Sequence, residues 1–153
     1  MLPKPLISIV VCTYNRVDLL KQTLESVFAQ KYQPVEIIVY DDGSTDATSE
    51  LMNDYKKKLT YFRSTANRGI SNAHNQACKL ATGAFIAFQD DDDLMAPDRL
   101  ISLYQVFHDF PETVLAFGNL ETMDAKGVPT GFFCNEDLAR DAAGQPLFFE
   151  QCL

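Results

Sequence analysis

Ala84-Phe85-Ile86-Ala87-Phe88-Gln89-Asp90-Asp91-Asp92-Asp93 is the stretch on which the reading of this chain turns. An apolar run of strand length passes directly into consecutive carboxylates. Left unneutralised, such a cluster is costly: two carboxylates ~7 Å apart repel by roughly 2–3 kcal/mol at an effective dielectric of about 20. A positive partner is expected there. Magnesium and manganese take oxygen ligands and often bind through one or two carboxylates plus a substrate's phosphates. The stretch reads as a buried strand that ends in a metal-bridged phosphate site.

Outward from it, the same grammar repeats. Leu6 to Cys12 and Val35 to Tyr40 are β-branched apolar runs, read as strands buried on both faces. Leu59 to Arg63 and Val114 to Phe117 are read as further strands. Between them Val17, Leu20, Leu24, Val27 and Phe28 repeat at helical spacing to about Gln30. Leu51, Met52 and Tyr55 mark a second helix, begun at the Asp41–Asp46 turn with Ser44 or Thr45 as cap, and Lys56 to Lys58 sit at its negative end. Gly69 opens a third helix carrying Ala73, Ala77, Leu80 and Ala81, which Gly83 is placed to terminate. Pro97 takes the N1 position of a fourth, and His108 its dipole-favoured end. Asp124-Ala125-Lys126-Gly127 reads as a hairpin turn, and beyond Phe133 no period is clear. Strands alternating with helices predict an α/β fold, a mostly parallel central sheet with helices on both faces, in a single domain over 1–153.

Composition narrows the function. The 153 residues are 46% hydrophobic and 22% charged, with a net charge of -8. That is enough apolar mass for a core, and it lacks the basic footprint of a nucleic-acid binder. Cys12, Cys78, Cys134 and Cys152 form no C-x-x-C pair, so zinc and a disulfide framework are poor readings beside idle thiols in a reducing compartment. The first residues lack the apolar core and cleavage site of a signal peptide, and no apolar run approaches the ~18 residues of a membrane span. The expected location is the cytoplasm, including the periphery of the inner membrane face. Oligomeric state is left open.

Three strands end alike, apolar and then abruptly polar: at Thr13-Tyr14-Asn15-Arg16, at Asp41-Asp42-Gly43-Ser44, and at Gln89 to Asp93. In a parallel sheet these ends share one edge, and ligands bind in the crevice there. Tyr14 offers a flat face for a base, Thr13 and Asn15 hydrogen bonds, and Arg16 a fork for phosphate. Asp42 is an acceptor suited to a pyrimidine N3–H or a ribose. Asp90 and Asp92 project to the same side if the backbone stays extended, one for a ribose hydroxyl and the other for a metal. Asn67-Arg68-Gly69 adds a cation and a flexible backbone.

The four segments S-I-V-V-C-T-Y-N-R, V-Y-D-D-G-S-T-D, N-R-G-I-S-N-A-H-N-Q-A and F-I-A-F-Q-D-D-D-D-L-M-A-P-D-R-L, ordered and correctly spaced over about Leu6 to Asn119, resemble the family 2 glycosyltransferases of the GT-A fold. The resemblance implies a Rossmann-like GT-A domain, here its donor-binding portion, and a nucleotide-sugar donor, usually UDP-linked. It implies a divalent metal, Mn2+ or Mg2+, on the diphosphate, and transfer with inversion to a saccharide or glycolipid acceptor. By position, Thr13, Tyr14 and Asn15 would line the base pocket, Asp42 would bond the base, and Asn67 and Arg68 would lie beside it. Asp92 is the metal ligand so implied, with Asp90 second; Asp90 or Asp91 would lie nearer the ribose. His74 departs from the family's common arginine before Asn75, at a phosphate or sugar contact. The catalytic base is expected beyond residue 153; Glu136, Asp137, Asp141 and Glu150 are carboxylates that nothing singles out.

Competing readings are weaker. The acidic run as a solvated helix cap does not account for the other two strand ends. A calcium EF-hand counted from Asp90 puts Leu94 at a ligand position, Met95 at the glycine turn and Ile101 at the closing glutamate. No G-x-G-x-x-G or Walker sequence follows the first strand, and no Gly-rich basic loop of a nucleotidyltransferase stands there. Nothing specifies the second carboxylate of a glycoside hydrolase. The remaining alternative is a nucleotide-sugar-binding module without catalysis.

Overall fold

Every residue of the first strand is buried, which requires cover on both faces. The computed structural model describes residues 4–124 and 127–133. Its elements run β1 (Ile7–Thr13), α1 (Val17–Phe28), β2 (Val35–Asp41), α2 (Thr48–Tyr55), β3 (Thr60–Arg63), α3 (Ile70–Cys78), β4 (Phe85–Asp90), α4 (Arg99–Asp109), β5 (Leu120–Met123) and β6 (Pro129–Phe133). The chain divides into two compact units, Met1–Leu100 and Ile101–Leu153.

In the first unit β1 to β4 form one parallel sheet in the order β3-β2-β1-β4. Side chains alternate between its faces. Val10, Cys12, Ile38 and Tyr40 pack with Ala73 and Ala77 of α3, whose small residues let the helix approach closely. The intervening Ile9, Val11, Ile37 and Val39 are equally buried, and α1 buries Leu20, Leu24 and Val27 while α2 buries Met52. At the amino edge Glu36 accepts from Ser8 Oγ, from Thr82 N at 2.6 Å and from Gly83 N at 3.0 Å, tying β1, β2 and the entry to β4 together.

In the second unit β5 and β6 pair antiparallel across the expected hairpin turn, where Gly127 has φ 77° and donates its N–H to Asp124 O. No helix among the described residues is long and apolar enough to cross a membrane. Cys134, Cys152, Glu136, Asp137, Asp141 and Glu150 lie outside the described residues.

Several expectations are corrected. Val114–Phe117 is not a strand: a short apolar run pairs only where an edge is offered, and Val114 is 96% exposed. The third helix ends at Cys78, tightened by Leu80 N–H to Ala77 O, so Gly83 does not terminate it. Gly83 instead lets the chain pass β1, for a Cβ there would lie 2.6 Å from Ser8 Oγ and 2.8 Å from Leu6 O. Pro97 sits in the turn before α4, two residues ahead of its first helical residue. The group that serves the start of α2 is Asp46, whose Oδ1 accepts from Thr48 N at 3.0 Å, rather than Ser44 or Thr45.

Candidate functional site

Register puts three strand ends level: Thr13 lies opposite Asp41, and Cys12 opposite Asp90. Over this carboxyl edge opens a cleft of about 440 Å³. Thr13, Tyr14, Arg16 and Asp42 line it from the first two strand ends, Asp90, Asp91 and Asp92 from the fourth, and Asn67 from the loop after β3. Tyr14 is 42% exposed, leaving a ring face open. Three buried oxygens among these residues have no hydrogen-bond partner: Thr13 Oγ1, Asp42 Oδ1 and Asp91 Oδ2. Buried acceptors left unpaired cost about 1–3 kcal/mol each, so the cleft is built to receive donors or a cation.

Asp42 divides its carboxylate between structure and cleft. Oδ2 accepts the backbone N–H groups of Arg68 at 2.9 Å and Gly69 at 2.8 Å, while Oδ1 is the unpaired atom. Arg68 therefore contributes its backbone here, and its side chain is not among those lining the cleft. Asp41, fully buried, supports the turn from behind: it accepts from Ser44 N at 2.7 Å and from Tyr61 Oη at 2.7 Å, with Arg63 Nε at 3.6 Å. Burial, then that bond to Asp41, pushes the Tyr61 phenol well above its ordinary range.

Asn15 faces the neighbouring loop. From a left-handed φ of 54° its Oδ1 accepts from Thr45 N at 2.7 Å and Asp46 N at 3.3 Å, and its own N–H donates to Ser44 Oγ at 2.9 Å. Asp46 returns the contact through Oδ2 to Val17 N at 3.1 Å. Burial opposes the charge on Asp46, but the donors of Thr48 and Val17 outweigh it and hold its carboxyl below the ordinary value.

The acidic run leaves the extended conformation after Asp90, so the expected alternation of Asp90 and Asp92 along one strand does not form. Gln89 Nε2 and Thr23 Oγ1 both donate to Asp93 O at 2.9 Å, and Gln89 Oε1 accepts from Arg99. Ser26 of α1 and Gln30 just after it fasten the following residues Met95 and Ala96. These bonds fold the chain into a turn. Asp91 and Asp92 are then brought to one guanidinium, with Arg16 Nη1 3.0 Å from Asp91 Oδ1 and 2.7 Å from Asp92 Oδ2. Asp91, then Asp92, raise the Arg16 pKa further above its ordinary value. Asp93 shapes the turn through its carbonyl; burial, then Asp90 and Asp92, push its carboxyl up.

The sequence reading missed Ile70 and Ala73, in the first turn of α3, and Cys12, all of which line the cleft beside Gly69. The helical spacing of small residues after Gly69 was the available signal. Burial, with nearby Cys78, Asp42, Asp91 and Asp90, pushes the Cys12 thiol up to about 12, so it stays protonated and inert. His74 lies against Phe88, ring centroids 5.1 Å apart, with Nε2 buried and unpartnered.

A parallel sheet with this strand order and a polar cleft at its carboxyl edge defines a Rossmann-like α/β domain, whose class binds ligands at that edge. The sequence profile described as "Glycosyl transferase family 2" matches residues 8–127. The chain belongs to that family, and its fold is the GT-A fold. It is 35% identical over 133 residues to a poly(ribitol-phosphate) beta-glucosyltransferase of Bacillus spizizenii, covering 83% of this chain and 21% of that protein. Among solved structures it resembles a mannosyltransferase of Pyrobaculum calidifontis in complex with GDP-Man and Mn2+, at 29% identity and TM-score 0.66, over 71% of this chain and 34% of that one. It also resembles TarS of S. aureus in complex with UDP-GlcNAc, at 30% identity and TM-score 0.61, over 67% of this chain and 31% of that one. The chain spans well under half the length of these relatives.

Proposed function

We propose that this chain is the donor-binding part of a metal-dependent, inverting glycosyltransferase, within a single catalytic domain. It takes a nucleotide-sugar donor, UDP-linked, and serves transfer to a saccharide or glycolipid acceptor in polysaccharide or glycoconjugate synthesis. The observation that carries this reading is that Thr13, Asp42 and Asp91, each with a buried and unpaired side-chain oxygen, line one cleft together with Tyr14. Tyr14 stacks the base, and Asp42 Oδ1 accepts its N–H while Oδ2 stays with the Asn67-Arg68-Gly69 loop. Thr13 lines the base pocket beside Tyr14, and Asp90 bonds a ribose hydroxyl. The GDP-Man and UDP-GlcNAc bound by the two structural relatives support a nucleoside diphosphate in this place.

The carboxylates fit a divalent cation. Asp91 Oδ2 is an orphaned buried oxygen, and Asp92 is half-exposed beside it with a positive charge already drawn between them. Among the described residues no group of three or more His, Cys, Asp or Glu could hold a metal unaided. An ion here would be shared between one or two carboxylates and the ligand's phosphates. Asp92 would hold it, with Asp90 second. When bound, such an ion neutralises charge on the departing diphosphate. Calorimetry with UDP, with and without Mn2+, tests the reading: metal-dependent binding is expected, lost in Asp92→Ala, and unchanged affinity in that variant would remove the metal assignment. Donor hydrolysis or transfer then separates an enzyme from a binding module.

A further inference from the structure

Arg16 stands in the way of the ion it is expected to serve. Its Nη1 lies between Asp91 Oδ1 and Asp92 Oδ2, at 3.0 Å and 2.7 Å, and among the described residues no hydrogen bond engages its other nitrogens. Only part of a five-donor fork is in use. The residue sits where β1 passes into α1, its side chain half-exposed and making no capping bond to the helix. Asp91, by contrast, lines the cleft with its side chain 7% exposed, and its Oδ2 is buried and unpaired. The pair is therefore a buried carboxylate held by a half-exposed cation.

We propose that Arg16 is the resident counter-ion of this acidic turn, and that loading a divalent cation with a nucleoside diphosphate is an exchange of partners, in which the guanidinium leaves Asp92 for the phosphates. The inference rests on the reading of the cleft as a nucleotide-sugar site. A cation and a guanidinium cannot both occupy Asp92 Oδ2. A metal arriving alone has to send Arg16 into water, and so gains little over the ion pair it breaks. A metal arriving with a diphosphate releases Arg16 to a bidentate acceptor of matching geometry. Metal and nucleotide then strengthen each other's binding, and by linkage the enhancement is the same in both directions.

Free Mn2+ measured by its electron paramagnetic resonance signal reads this directly, on wild type, Arg16→Gln and Arg16→Lys, each with and without saturating UDP. Circular dichroism and thermal unfolding establish that the variants fold. Arg16→Gln should bind Mn2+ alone about tenfold more tightly than wild type, and should lose most of the enhancement that UDP confers. Arg16→Lys, which keeps the charge, should stay close to wild type in Mn2+ alone. Equal or weaker binding of Mn2+ alone by Arg16→Gln, or undetectable Mn2+ in all three proteins, overturns the exchange. Failure of the underlying reading has another signature: UDP binds none of the three proteins, and the exchange falls with it. UDP bound normally by wild type, with Mn2+ affinity indifferent to residue 16, overturns the exchange alone.

Discussion

The side-chain oxygen of Asn15 accepts the backbone N–H of Thr45 at 2.7 Å, joining the loop after β1 to the loop after β2. Tyr14 precedes one end of this clamp and Asp42 lies just before the other, so two cleft residues on separate strands are set by a side chain that turns away from the cleft. Asn15→Ala should lower unfolding free energy by about 0.5–1.5 kcal/mol, the net worth of a hydrogen bond whose donors can still reach water. It should also weaken nucleotide binding. Asn15→Gly loses the same acceptor but takes the φ of 54° without a Cβ penalty, so it should be the less destabilised of the two in urea unfolding.

The sheet was legible because buried parallel strands announce themselves as apolar runs with polar ends, as at Val35–Asp41 and Phe85–Asp90. The location of the cleft followed, since parallel strands deliver their polar ends to one edge. Which side-chain atoms face the cleft did not follow. Asn15 and Arg68 carry ligand-like chemistry, yet one side chain is spent on the loop containing Thr45 and the other residue offers its backbone to Asp42. Turn geometry decides such roles, and it depends on distant partners such as Thr23 and Gln89 at the acidic turn. The misread segment Val114–Phe117 fails for a related reason, because a strand is a property of a pair.

Asp42 separates folding from binding within one carboxylate. In Asp42→Asn the amide oxygen can keep the N–H groups of Arg68 and Gly69, which places a donor where the unpaired acceptor Oδ1 now stands. The variant should fold normally and bind UDP roughly 10–100-fold more weakly, the worth of one hydrogen bond to a charged acceptor. Asp42→Ala should lose stability as well. Calorimetry paired with thermal unfolding distinguishes the two.

Glu36 predicts the acid side of the stability profile. Burial favours its neutral form, but donors from Ser8, Thr82 and Gly83 outweigh burial and hold the folded pKa below the ordinary 4.5. A carboxyl whose pKa is lower folded than unfolded stabilises fully above its unfolded value, and loses that contribution as pH falls through the folded one. Glu36→Gln should therefore be less stable by about 1–3 kcal/mol at neutral pH. The difference from wild type should shrink progressively below pH 4.5, as denaturant unfolding at several pH values would read. A constant difference down to strong acid would contradict the assignment.

Gly43 tests whether the turn after β2 sets the spacing of the cleft wall. Its φ is +82°, and a Cβ there would lie 2.8 Å from the backbone carbon of Ala66 and 3.0 Å from Asn67 N. The obstacle is main chain, so no side-chain rotation relieves it. Left-handed φ costs a non-glycine residue roughly 1–2 kcal/mol, and overpacking adds about 1–3 kcal/mol. Gly43→Ala should thus lose about 2–5 kcal/mol in urea unfolding. Gly118→Ala, where nothing lies within 4 Å and no left-handed φ is required, serves as the neutral comparison. The clash pushes the Asn67 loop away from the Asp42 turn, and Asp42 Oδ2 loses its hold on Arg68 and Gly69. Nucleotide affinity should therefore fall in whatever fraction of Gly43→Ala remains folded, whereas a loss of stability with unchanged affinity would show that the loop after β3 is positioned independently of this turn.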